Sequence, residues 1–135
     1  MPAKALLRHP VIVPSATART VLASETGSVF IATSETATQV FTLPRAGRNP
    51  VGIHFSFISG STTAGSGVLQ IKPESSADTL VVKTRENAGS ALALAAGVGA
   101  QNSDADHVIG DHLTLVSDGV SIWYAAGQSG LWSSV

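Results

Sequence analysis

The stretch Gly110-Asp-His-Leu-Thr-Leu-Val-Ser-Asp-Gly-Val-Ser-Ile-Trp-Tyr-Ala-Ala-Gly-Gln-Ser-Gly-Leu-Trp132 decides the fold class. Leu113 and Leu115 alternate with His112, Thr114 and Val116, the period of a half-buried strand. Ser117-Asp118-Gly119 follows, and Asp-Gly predicts a tight hairpin because both residues tolerate positive φ. Ile122-Trp123-Tyr124 then resumes an aromatic, β-rich run, and a second turn leads to a short closing strand. The stretch specifies architecture and contains no evident chemistry. Leu113, Leu115 and Trp123 are its expected core residues.

Working outward, the rest of the chain has the same grain. Strands are predicted over 19–23, 28–33 and 38–43, the last ended by Pro44, which cannot continue a central ladder. Val51 to Ile58 shows the cleanest alternation, with Ile53, Phe55 and Phe57 facing one way and His54, Ser56 and Ile58 the other. Further strands fall at 68–72 and 79–83. Residues 90–96 are ambiguous: alanine and leucine favour a helix, while the flanking glycines and short length favour a strand or loop. Nine or ten short strands at this spacing, with no helix beyond two turns, predict an all-β chain. The best-fitting form is an antiparallel β-sandwich, jelly-roll-like. Residues 1–18 carry Pro2, Pro10 and Pro14 and read as an extended N-terminal arm, with 19–135 as the β-sandwich domain. The arm either clamps a partner chain or lies on its own domain. Its apolar residues Leu6, Leu7, Val11, Ile12 and Val13 are the candidate contacts.

The composition narrows the function classes. The 135 residues contain no cysteine, which removes disulfides, thiolate metal sites and cysteine nucleophiles. Charged residues make up 13%, about half the usual share of ~25%. Net charge is −1 with scattered basic residues, so the clustered positive surface of a nucleic-acid binder is missing. Mean hydropathy is +0.27, but no run approaches the ~20 apolar residues of a membrane-spanning helix. The amino-terminal sequence has too short an apolar run for a signal peptide. A low-charge exterior rich in Ala, Ser, Thr and Gly suits burial against other protein, because charge is depleted at interface cores.

Three pieces resemble small virion structural proteins of tailed bacteriophages. They are Thr20-Val-Leu-Ala-Ser-Glu-Thr-Gly-Ser-Val-Phe-Ile31; Phe41-Thr-Leu-Pro44 with Gly52-Ile-His-Phe-Ser-Phe-Ile58; and the closing hairpin 110–119 with Trp123-Tyr124 and Trp132. The Ala/Gly-rich section 90–100 departs from that pattern. The resemblance implies a β-sandwich from a phage particle, of the kind used as capsid decoration (cement) proteins and within tail fibres.

Asp104, Asp106, His107, Asp111 and His112 place five potential ligands in nine residues, but they match no metal-loop spacing. A solvated loop and edge strand is the favoured alternative; a histidine repeated around a trimer axis is a variant of the metal reading. No Gly-x-Ser-x-Gly elbow is present, and Gly97-Val-Gly99 lacks the third glycine of a dinucleotide site. Nine acidic residues, nearly all in predicted turns, make a glycosidase pair improbable. Trp123, Tyr124 and Trp132 form either a carbohydrate platform or core, with core favoured. Arg45 and Arg48 share a loop with no acidic neighbour and can meet an acidic partner surface or solvent.

Taken together, residues and resemblance predict a non-enzymatic capsid decoration protein with no catalytic, cofactor or metal residues. It would act as a homotrimer on the outer capsid surface of a virion assembled in the host cytoplasm. Its partner would be the major capsid protein, not nucleic acid, membrane or a small-molecule substrate. The alternative is a tail-fibre or receptor-binding module with an exposed aromatic patch.

Overall fold

The structure, a computed structural model, describes residues 10–61, 68–85, 91–102 and 107–135. Among the described residues it is all-β, with twelve strands and short 3₁₀ turns. The strands are β1 (Val11–Ile12), β2 (Ala18–Thr20), β3 (Val29–Ala32), β4 (Gln39–Leu43), β5 (His54–Ser59) and β6 (Leu69–Pro73). They continue with β7 (Thr79–Lys83), β8 (Ala91–Ala93), β9 (Ala100–Asn102), β10 (His112–Ser117), β11 (Ile122–Gln128) and β12 (Ser133–Ser134). A seven-stranded sheet runs β1-β3-β5-β10-β11-β7-β8, and a five-stranded sheet runs β12-β9-β6-β4-β2. The ambiguous 90–96 segment therefore contributes a strand.

Both sheets are mixed, which corrects the antiparallel expectation. From β1 to β7 the chain crosses between the sheets at every step. Alternate strands consequently run the same way. Val11 pairs with Val29 and Val29 with Ser56 in one parallel ladder, and Ala18 pairs with Val40 and Val40 with Gln70 in the other. The first half is thus a two-sheet coil in which each crossover is a strand of the opposite sheet, where a helix is the usual connector. The C-terminal stretch is folded differently. β10 pairs antiparallel with both β5 and β11, and β9 joins the five-stranded sheet antiparallel to β6. Side-chain alternation reports which face of a strand is buried. It carries no information on the direction of the neighbouring strand, so the parallel ladders were not readable from period alone.

The inner faces of both sheets feed one core. Phe30, Phe55, Phe57, Leu113, Leu115 and Trp123 come from the larger sheet, and Phe41, Leu43, Leu69 and Ile71 from the smaller; all are essentially inaccessible. Phe41 lies 5.5 Å from Phe30 and 5.3 Å from Phe57, centroid to centroid, so aromatic contacts bridge the sheets. Such pairs contribute about 0.5–1.5 kcal/mol each beyond area burial.

The hairpin is looser than Asp-Gly alone predicts. Ser117 and Trp123 form its last pair, and four residues, Asp118 to Ser121, separate the end of β10 from the start of β11. The Asp118 N–H donates to the Ile122 carbonyl at 2.9 Å. Its carboxylate accepts from the N–H groups of Val120, Ser121 and Ile122 at 2.8–2.9 Å. The aspartate therefore serves as an internal cap. Farther along, Thr114 faces Gly127 while Leu115 faces Ala125, so Ala126 is an extra, bulged residue.

Candidate functional site

At one end of β10, two loops distant in sequence meet. Gly119 adopts φ +76°, and a Cβ there would stand 3.0–3.2 Å from the backbone and Cβ of Val51. A Cβ on Gly47 would lie 2.6 Å from the Val120 carbonyl oxygen. Glycine at both positions lets the 44–53 loop close onto the hairpin loop. The result is an exposed apolar pair at the tip: Val51 and Val120 are 74% and 70% accessible. Leu22, also exposed, belongs to an adjoining loop held to the start of β5 by hydrogen bonds from Gly27 N–H to the His54 carbonyl and from His54 N–H to Thr26 Oγ1.

The same loop carries Arg45 and Arg48. Arg48 is exposed, whereas Arg45 is half-buried and its Nε has no partner. Between them Ala46 is buried, and its N–H donates to the buried Asp78 carboxylate at 2.9 Å. Asn49 Nδ2 donates to the Arg45 carbonyl at 2.6 Å. The loop is therefore a fixed platform that presents Val51 and Arg48 outward. The alternation beginning at Ile53 is real, but the strand starts at His54, because Gly52 at φ +90° turns the chain and leaves Val51 outside the ladder. Sequence reading placed Val51 in that strand and so missed it as a surface residue. Its position between Pro50 and Gly52 was the available signal.

At the other end of β10 lies a buried polar cluster. His107 Nε2 donates to the Ser61 carbonyl at 2.7 Å, and its Nδ1 lies 2.6 Å from Ser59 Oγ and 3.0 Å from Asn102 Oδ1. Asn102 Nδ2 donates to Asp111 Oδ2 and to the Leu131 carbonyl, both at 3.0 Å. Two acceptor-only partners dictate which way that amide points. Asp111 also receives the Val108 N–H at 3.0 Å. Although this set contains serine, histidine and aspartate, it lacks a relay. The hydroxyl and the amide share one ring nitrogen, and Ser59 is only 3% accessible. The cluster closes loops; it presents no nucleophile. His112 stands apart, with Nδ1 2.8 Å from Ser129 Oγ. Asp104 and Asp106 lie outside the described residues, and among the described residues no group of three or more His, Cys, Asp or Glu side chains is placed to hold a metal ion.

Of the arm residues, Leu6 and Leu7 lie outside the described residues. Val11 and Ile12 form β1, the parallel edge partner of β3, and Ile12 packs on the core. Gln39 Nε2 donates to the carbonyls of Pro14 and Ala16 at 3.1 and 3.2 Å. Residues 10–18 thus lie on their own domain, while Val11 and Val13 keep exposed side chains.

The aromatic platform does not form. Trp123 is fully buried and Trp132 is 2% accessible with its N–H donating to the Ser129 carbonyl at 2.8 Å, so only Tyr124 of the three is exposed. Strand alternation turns Trp123 inward and Tyr124 outward.

No protein-family model matches the chain, and no curated protein matches its sequence. Among the described residues no helix is long and apolar enough to cross a membrane.

Proposed function

We propose that this chain is a non-enzymatic β-sandwich protein that decorates the outside of a phage head and stabilises it by bridging major capsid proteins as a homotrimer. The supporting observation is the tip formed by Val51 and Val120, two exposed apolar side chains whose loop also carries the exposed Arg48, on an otherwise weakly charged molecule. Arginine is enriched among the residues that carry interface energy, and exposed apolar side chains near it add contact area that excludes water. Three copies would multiply a weak single contact into tight attachment. The sandwich reading draws on two sheets sharing one core; the parallel coil of the first half departs from the antiparallel order of a jelly roll, so that finer expectation is set aside. The tail-fibre alternative loses its aromatic patch with the burial of both tryptophans.

The test is to mix purified protein with undecorated head shells of its own phage and image them. Stoichiometric density at symmetry-related positions is the expected result. Its absence with the unmodified protein would defeat the decoration reading. Density that survives Val51→Asp together with Val120→Asp would move the contact to another surface.

A further inference from the structure

We propose that the outer face of the seven-stranded sheet is the surface through which copies of this chain bind one another. Strand pairing lays its outward side chains in rows. His54, Val116, Tyr124 and Val81 form one row across β5, β10, β11 and β7. Val29, Ser56, Thr114 and Gly127 form the next, and Ile31, Ile58 and His112 a third. Outside the bulge at Ala126 these residues alternate with core-facing ones, and each keeps partial or full exposure. Among the described residues no Asp, Glu, Lys or Arg stands in these rows; Lys83 lies at the margin, at the end of β7. The polar members are already paired within their own chain. Ser56 Oγ and Thr114 Oγ1 lie 2.8 Å apart, His112 Nδ1 is 2.8 Å from Ser129 Oγ, and His54 Nδ1 is 3.1 Å from the Gly52 carbonyl oxygen. That pairing lowers the cost of covering the face.

The smaller sheet has a different exterior. Its outward positions carry Val40, Thr42, Gln70, Lys72 and Gln101, with Gln70 Nε2 donating to Gln101 Oε1 at 3.0 Å. Those residues suit water, so the apolar rows of the larger sheet are not a requirement of strand formation. The five strands β3, β5, β10, β11 and β7 are neighbours in the sheet. At the usual spacing they present on the order of 450 Å², over half of the ~800 Å² that one partner gives to a standard interface, and so enough for its charge-poor centre. A second copy is the partner these features fit. With His54 and His112 neutral the rows bear neither sign of charge. Copies can therefore meet there without bringing like charges together, and the rows offer no charge by which to select a foreign surface. Tyr124, 46% accessible between Val116 and Val81, is the aromatic anchor of the contact. Such a contact gives the homotrimer of the decoration reading its surface and rests on that part of the reading; attachment to the shell through the Val51–Val120 tip is a separate matter.

The experiment is sedimentation equilibrium of the full chain over a range of concentrations, with Tyr124→Lys and Val116→Lys as variants and Gln70→Lys, on the smaller sheet, as control. A mass that is a multiple of 13.7 kDa is expected for the unmodified chain and for Gln70→Lys, with association at least about tenfold weaker in either larger-sheet variant. Circular dichroism checks that each variant is folded. Where a variant fails to fold, NMR on a mixture of isotope-labelled and unlabelled unmodified chains decides: intermolecular contacts are expected to the methyl groups of Val81, Val116 and Ile58 and none to those of Val40. An unmodified chain that stays at 13.7 kDa throughout overturns the inference and the homotrimer with it. Association that survives in both folded variants, or intermolecular contacts confined to other methyl groups, overturns the inference and leaves the homotrimer standing. Head-shell imaging tests decoration independently of either result.

Discussion

The two ends of β10 solve the same problem in different ways. Both must hold several loops together. At the His112 end the solution is a buried polar network of Ser59, Asn102, His107 and Asp111. At the Ser117 end it is small residues and local capping: Gly47, Gly119 and the Asp118 carboxylate. A buried network is costly to break, because each orphaned polar group forfeits its solvation. A capped loop over glycines loses little when its outward side chains change. The second end can therefore present Val51 and Val120 to solvent without the fold depending on them.

Removing a member of the network should produce the largest effect. Asn102→Ala leaves His107, Asp111 and the Leu131 carbonyl each short of a partner, and a loss of about 3–4 kcal/mol in urea unfolding is expected. A loss below about 1 kcal/mol would show that water replaces the amide and that the two ends do not differ in kind.

Gly130→Ala comes next. Gly130 adopts φ +83°, and an added Cβ would overlap the Asp111 carboxylate. Backbone strain and displacement of a buried anion together predict a loss of about 3 kcal/mol, read from the midpoint of chemical denaturation. If Gly130→Ala melts like the parent, Asp111 is not held where the network requires it.

Asp118→Ala tests the other end and should cost only about 1 kcal/mol, the range of a lost cap. The Ile122 N–H, followed by those of Val120 and Ser121, holds the Asp118 carboxyl below its ordinary value near 3.8. The folded chain therefore binds this proton less readily than the unfolded chain. The ionised loop stabilises the fold above the ordinary carboxylate range, and that contribution fades as pH falls through it. Asp118→Asn should flatten this part of the pH–stability profile between about pH 5 and pH 2; an identical acid limb in the variant would assign it to other carboxylates.

The smallest folding effect belongs to the tip. Val51→Asp and Val120→Asp should each change stability by less than about 0.5 kcal/mol, measured by thermal melting, since both side chains are mostly in water already. A large loss would mean that the tip is structural and the contrast between the ends false.

Much of the fold was legible because burial imposes a local period. Phe55 and Phe57, Leu113 and Leu115, and Trp123 each announce the inner face by alternation, and all are buried. Pro44 and Gly119 mark an ending and a turn by their own backbone limits. The candidate site was less legible. Arg45 and Arg48 could be assigned to a loop, but Val120 becomes their neighbour only when the hairpin folds back over Gly47. His107 looked like a potential ligand beside two aspartates and is instead tied to Ser59, Ser61 and Asn102.

By itself, then, the sequence determined most of the strands, though not β9, along with their buried faces and most of their ends, since these follow from side-chain polarity and backbone freedom within a few residues. Only the tertiary structure decided that β1 to β6 coil in parallel ladders and that the Asp118 loop meets the 44–53 loop. Those outcomes depend on pairing between segments tens of residues apart, whose direction and register are set by how two sheets close over one core, a constraint that no local pattern encodes.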